Sequence, residues 1–223
     1  MYRLSGRLVA EAIGTFALVF FGCGAIVLNA MPGAGYGLIG IALAHSLALG
    51  VMITATMNVS GGHLNPAVTL GLLSIRRIDA RTALAYVGAQ LAGGVLAVLT
   101  LKWVIPAAMS ATGTLGTPAL ANTMNLQSGI ALEAVLTFFL MSAVMGTAVA
   151  KDAPKVGGFA IGLVLLFDIL VGGTLTGAAM NPARAFGPAL VSGTWYAQPV
   201  WWIGPIVGAV IAAQLWDRVI LKQ

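Results

Sequence analysis

The feature that most limits what this chain can fold into is a series of apolar runs, near 5–29, 36–57, 82–105, 127–150, 156–175 and 198–219. A helix needs about 20 apolar residues to cross the hydrocarbon core of a bilayer. Six such runs in 223 residues therefore predict six spanning helices and leave little chain outside the membrane. Composition agrees, with 59% of residues apolar and 8% charged, against roughly 25% charged in a soluble domain. A water-soluble globule lacks the polar surface it would need, and a disordered chain would need low hydrophobicity.

The basic residues mark sides. Arg3 and Arg7 precede the first run; Arg76, Arg77 and Arg81 separate the second from the third; Lys151 and Lys155 separate the fourth from the fifth; Arg218 and Lys222 follow the sixth. With an even number of spans all four groups share one face, which the positive-inside rule assigns to the cytoplasm together with both termini. Lys102 is then the one basic residue near the outer face, and Arg184 stands apart. The net charge of +5 is not a nucleic-acid signal, because no contiguous basic patch or aromatic platform accompanies it; the partner is membrane lipid. The N-terminal run is long enough to span and carries Glu11 early, so it reads as a span and not as a cleaved leader. Cys23, the single cysteine, has no disulfide partner and reads as a packing residue. Short loops and no targeting extension predict a prokaryotic inner membrane.

Two further apolar stretches, 65–74 and 181–191, are too short to span and too apolar for loops. Each opens on the same tripeptide, Asn65-Pro66-Ala67 and Asn181-Pro182-Ala183. Glu11 in EAIGTF also recurs as Glu133 in EAVLTF. The chain 1–223 is therefore one membrane domain of two related halves, about 1–105 and 120–223. Each half holds three spans, an odd number, so the second copy is inverted relative to the first. Short, interrupted apolar segments at matching positions in such halves point to a transport site.

Proline favours the first helical position and asparagine the N-cap, so each tripeptide reads as the start of a short helix. The residues before them, Ser60-Gly61-Gly62-His63-Leu64 and Thr176-Gly177-Ala178-Ala179-Met180, are small or turn-forming and can run extended with carbonyls exposed. Backbone of that kind survives at membrane depth only when buried in protein or lining a wet cavity. The carbonyls of Gly61, Gly62, His63, Thr176 and Gly177 are accordingly expected to line a pore. Inversion brings the two helix N-termini together near the midplane, each with roughly half a positive charge, which repels cations and hydronium. If the Asn65 and Asn181 oxygens cap their helices, both amide groups stay free to donate to a passing solute.

SGGHLNPAVTLG, TGAAMNPARAFGPAL and the EAIGTF opening resemble the aquaporin (major intrinsic protein) family over essentially the whole chain. The resemblance implies an all-α integral membrane fold of six spanning helices plus two re-entrant half-helices, a pore in every subunit, a homotetramer, and passage of water and small neutral solutes without a cofactor, metal or enzymatic step. It also implies a four-position selectivity filter, which counting from the tripeptides assigns to His45, Ile169, Ala178 and Arg184. Strict water channels of the family usually carry Phe, His, a small polar residue or Cys, and Arg, and glycerol channels Trp, Gly, Phe and Arg. This quartet matches neither and is similar to that of plant tonoplast intrinsic proteins, some of which pass ammonia, urea and hydrogen peroxide. Glu11 and Glu133 are expected to accept N–H bonds from the two re-entrant loops, and His63 to face the cytoplasmic vestibule. Asp168 stands where that pattern usually has Asn, and its role, toward a neighbouring helix or toward His45, stays open. A strict water channel or a glycerol facilitator remains the alternative, with a cation-coupled transporter more distant. A membrane enzyme built on Ser60 and His63, or on the two glutamates, lacks every accompanying motif.

Overall fold

The computed structural model describes residues 2–107 and 113–222, and every regular element among them is helical. In chain order these are α1 (Leu4–Asn29), α2 (Gly37–Ser60), α3 (Pro66–Ser74), α4 (Ala80–Val104), α5 (Leu126–Val144), α6 (Phe159–Gly172), α7 (Pro182–Ser192) and α8 (Pro199–Leu215). A π-helical turn extends α5 over Met145–Val149 and another extends α8 over Trp216–Ile220.

Among the described residues five helices are long and apolar enough to cross a membrane. The fifth apolar run yields only the 14 residues of α6, about 21 Å of helix at 1.5 Å per residue. Its reading as a span over 156–175 counted residues that are apolar without being helical. Pro154 and the left-handed Gly157 (φ +58°) precede the helix, and beyond Gly172 the run ends in a turn.

The packing repeats itself between the halves. α1 lies against α4 as α5 lies against α8, and α1 meets α2 as α5 meets α6. The short helices cross over: α3 packs on α8, and α7 on α4. Small residues permit these approaches. A β-carbon on Gly93 would strike the Ala12 carbonyl, and one on Gly208 the Ala134 carbonyl, at corresponding points of α1–α4 and α5–α8. At the crossing of α2 and α6, a β-carbon on Gly162 would lie 2.8 Å from the Gly50 Cα.

The distribution of polarity is inside out. Glu11, Glu133, Arg184, Asp168 and Gln90 are buried, while Trp103, Leu84, Ile39 and Val171 are exposed. Water would penalise both halves of that arrangement, and a lipid surround removes the penalty on the apolar periphery.

Candidate functional site

Asn65 and Asn181 cap α3 and α7 as their spacing predicts. The Asn65 Oδ1 accepts from Ala67 N at 2.8 Å, and the Asn181 Oδ1 from Ala183 N at 3.0 Å and Arg184 N at 3.3 Å. The segments leading into them turn through left-handed residues: Gly61, Gly62 and Leu64 in one, Gly177, Ala178 and Met180 in the other. A buried glutamate from the opening helix of the same half grips each segment. Glu11 accepts from Ser60 Oγ (2.6 Å), His63 N (3.0 Å), Leu64 N (2.6 Å) and Gln90 Nε2 (2.8 Å). Glu133 accepts from Thr176 Oγ1 (2.7 Å), Ala179 N (2.9 Å) and Met180 N (2.7 Å). With the N–H groups tied to carboxylates, the carbonyls are turned away from them. Those of Gly61, Gly62, His63 and Gly177 accept no hydrogen bond among the described residues.

The two loops are also bonded to each other. Asn65 Nδ2 donates to the Met180 carbonyl and Asn181 Nδ2 to the Leu64 carbonyl, both at 2.9 Å. This corrects the expectation that both amide groups are wholly free. One N–H of each is committed across the interface, and one remains for a solute. Thr176 is corrected likewise: its carbonyl accepts the Trp201 indole N–H at 2.8 Å, and the residue is fully buried. His63 is largely buried, at 9% exposure. Its Nδ1 lies 3.1 Å from Thr69 Oγ1 and its ring meets Tyr86 edge-on at 5.2 Å. Pro66, Ala67, Pro182 and Ala183 form the first turns of the half-helices and are buried there, outside the lining of the cavities described next.

Two cavities meet at His45 and Arg184. The wider, about 310 Å³, is lined by these two, Ile169, Gly177 and the segment Thr117–Ala121. The narrower, about 10 Å³, is lined by His45, Ala178, Arg184 and both capping asparagines, with Leu18, Leu49, Leu140 and Leu165 opposite. That volume holds about one water. Of the four residues picked by counting, His45 and Arg184 border both cavities, Ile169 the wider one and Ala178 the narrower one, which also reaches Asn65 and Asn181 at the half-helix tips.

The throat at His45 and Arg184 is fixed by its hydrogen bonds. His45 Nδ1 lies 2.9 Å from the Ile41 carbonyl, which can only accept, so Nδ1 carries the proton and Nε2 is left as an acceptor. Arg184 Nη2 sits 3.3 Å from that Nε2, and Nη1 donates to the Gly116 carbonyl at 2.9 Å. A β-carbon on Gly22 of α1 would occupy the His45 ring, so glycine there makes room for it. The Arg184 Nε is buried without a partner among the described residues.

Asp168 is buried with an unpaired Oδ2 and is not hydrogen-bonded to His45. It also lies outside the lining of both cavities. Sequence reasoning missed Gly116, because what matters there is a backbone carbonyl. It also missed Tyr86 and Trp201, whose side chains donate to the matching carbonyls of Ser60 and Thr176. Their spacing, close to that of the two tripeptides, was a signal hidden by the change of residue type. Among the described residues no group of three His, Cys, Asp or Glu could hold a metal ion.

Comparison with known proteins gives consistent matches. The Major intrinsic protein family model matches residues 2–216. Aquaporin TIP4-4 of Zea mays is 42% identical over 224 residues, covering 96% of this chain and 86% of the relative. Nodulin-26 of Glycine max is 40% identical, covering 96% and 77%. In three dimensions the aquaglyceroporin from Plasmodium falciparum superposes with a TM-score of 0.86 at 26% identity, covering 98% of this chain and 97% of that one. The plant relatives overturn the prokaryotic inner membrane and point to a eukaryotic membrane. Short loops misled there, because insertion depends on apolar spans and charge bias that all membranes read alike.

Proposed function

The chain belongs to the major intrinsic protein family of membrane channels, and from that premise we propose that it passes water and small neutral solutes passively while excluding protons and ions. One observation carries the reading: a wide cavity lined by His45, Ile169 and Arg184 adjoins a cavity with room for about one water, lined by His45, Ala178, Arg184 and the capping asparagines Asn65 and Asn181 of both half-helices.

Each part has a task. Arg184 supplies a fixed charge and donors, raising the barrier to cations while bonding a solute oxygen. His45, held neutral-side-out by Ile41, accepts from Arg184 and limits width. Ile169 adds an apolar wall where a strict water filter has a second polar group, and Ala178 removes bulk. Asn65 and Asn181 each offer one N–H to a solute oxygen at the midplane, and the bound water then points its hydrogens outward toward carbonyls such as those of Gly62 and Gly177. That orientation, with the positive helix ends, breaks a proton wire. Glu11 and Glu133 are structural supports.

The relaxed quartet and the TIP-type relatives support ammonia and urea as further solutes, with hydrogen peroxide beside them. Glycerol is the weaker choice because neither Ala178 nor His45 supplies an aromatic corner. Ion-coupled transport is disfavoured, since Asp168 does not line either cavity. We further propose that residues 1–223 act as one channel domain of two halves, about 1–105 and 120–223, a reading the reciprocal asparagine bonds support. Four copies would assemble, with the apolar groove of about 880 Å³ between α1, α2 and the end of α4 as a surface available for subunit contact. Stopped-flow light scattering on vesicles holding the purified protein tests the function. Urea and ammonia should enter faster than into empty vesicles, and equal rates would overturn the solute assignment. Cross-linking in mild detergent should end at four subunits.

A further inference from the structure

In the segment between α4 and α5, the Gly116 carbonyl receives Arg184 Nη1 at 2.9 Å, and Thr117–Ala121 after it line the wider cavity. What holds that carbonyl lies outside the pore. Leu115 is 6% exposed and inserts into an apolar box made by Val19, Cys23 and Val27 of α1 with Ala97, Val98 and Leu101 of α4. It does so at φ +54°, a left-handed conformation that costs a residue with a β-carbon strain and persists only where its surroundings over-determine it. Gly116 follows at φ +77°, and a β-carbon on it would lie 2.8 Å from the Cys23 Cβ. The Cys23 thiol faces the same carbonyl, with Sγ 3.7 Å from the Gly116 oxygen. Thr117 fastens the far side, with its hydroxyl 3.2 Å from Ser192 Oγ at the end of α7.

We infer that Leu115 and Cys23 are positioning residues for Arg184: the plug into the α1–α4 box sets where the Gly116 carbonyl stands, and the carbonyl sets where the guanidinium stands in the throat. Two consecutive left-handed residues aim one side chain into the box and the neighbouring carbonyl at the pore. Without the plug the carbonyl drifts, Nη1 loses its partner, and Arg184 is held only by the longer contact to His45. The filter's width is thus controlled partly from a helix interface no solute reaches. This inference rests on the reading of Arg184 as a throat residue.

The test is a double-mutant cycle on reconstituted vesicles, reading the ratio of urea to water permeability per assembled channel. Leu115→Ala should raise that ratio about threefold in the wild-type background and leave it unchanged in an Arg184→Val background, because the loop acts through the guanidinium. Arg184→Val alone should raise it further, and Leu115→Met, which refills the box, should behave as wild type. Cys23→Ala, which trims the α1 side of the box without touching the left-handed backbone, repeats the cycle if the Leu115→Ala variant does not assemble. An equal change in both backgrounds, or no change for the Leu115 variants while Arg184→Val responds, overturns the inference and leaves the channel reading standing. No response to Arg184→Val would instead remove Arg184 from the throat.

Discussion

The Asn181 side-chain amide donates to the Leu64 carbonyl at 2.9 Å, joining the tip of one half-helix to the loop that feeds the other. The same side chain caps its own helix through Oδ1. One amide thus fixes the helix, aligns it with its counterpart, and keeps a single N–H for a solute.

Asn181→Asp separates these tasks. The carboxylate keeps the cap and suits a helix N-terminus, but it cannot donate to Leu64 and puts a negative charge where cations are otherwise repelled. The variant should assemble, with water flow reduced and a cation leak gained. Vesicles loaded with a sodium-sensitive dye read the leak; a variant as cation-tight as wild type would show that the barrier lies elsewhere.

Glu133→Gln tests the glutamate grips. Glu133 accepts three hydrogen bonds, and an amide in its place turns a donor toward Thr176, Ala179 or Met180. Loss of a charged acceptor should cost roughly 2–3 kcal/mol, seen as a lower melting temperature in detergent. Glu11→Gln should cost at least as much, since Glu11 accepts four. Unchanged melting in both would mean the loops are held by other contacts.

The apolar runs, the paired tripeptides and the two glutamates were legible because each depends on residue type at fixed spacing. Caps and helix order followed from that spacing, whereas the quartet His45, Ile169, Ala178 and Arg184 is what the family resemblance implies. Three things were not legible. The short reach of α6 was hidden because hydropathy does not distinguish helix from the turn that follows Gly172. The engagement of the asparagine amides was hidden because it joins residues 117 apart through a main-chain oxygen. Gly116 was invisible because a carbonyl leaves no side-chain signature, whereas Leu115 looks like any loop leucine until its box is seen.

Osmotic and proton flux should separate cleanly. The proposed pore, with room for about one water beside the two positive helix ends, should let vesicles shrink rapidly under an osmotic step while they hold a pH gradient imposed beforehand. Proton leak that grows with the amount of reconstituted protein would contradict the proposed orientation of water at Asn65 and Asn181.

The breadth of the filter is tested by rebuilding it. His45→Phe, Ile169→His and Ala178→Thr together would install the strict water pattern around an unchanged Arg184. Ala178 lines the narrow passage and Ile169 the wide mouth, so the threonine would add bulk and a hydroxyl on the inner side and the histidine a polar ring on the outer. A phenyl ring in place of the His45 imidazole would end the contact to Arg184 Nη2, which is 3.3 Å long in the wild type, and free that donor for the new histidine. Water, with two donors and two acceptors on one small atom, can satisfy these groups in turn. Urea is planar and wider, and must lose partners on one side as it passes. Water flow should therefore survive within about threefold, while urea and ammonia fluxes fall by roughly tenfold, a barrier increase near 1.4 kcal/mol. A triple variant that conducts urea as freely as wild type would show that these three positions do not form the constriction.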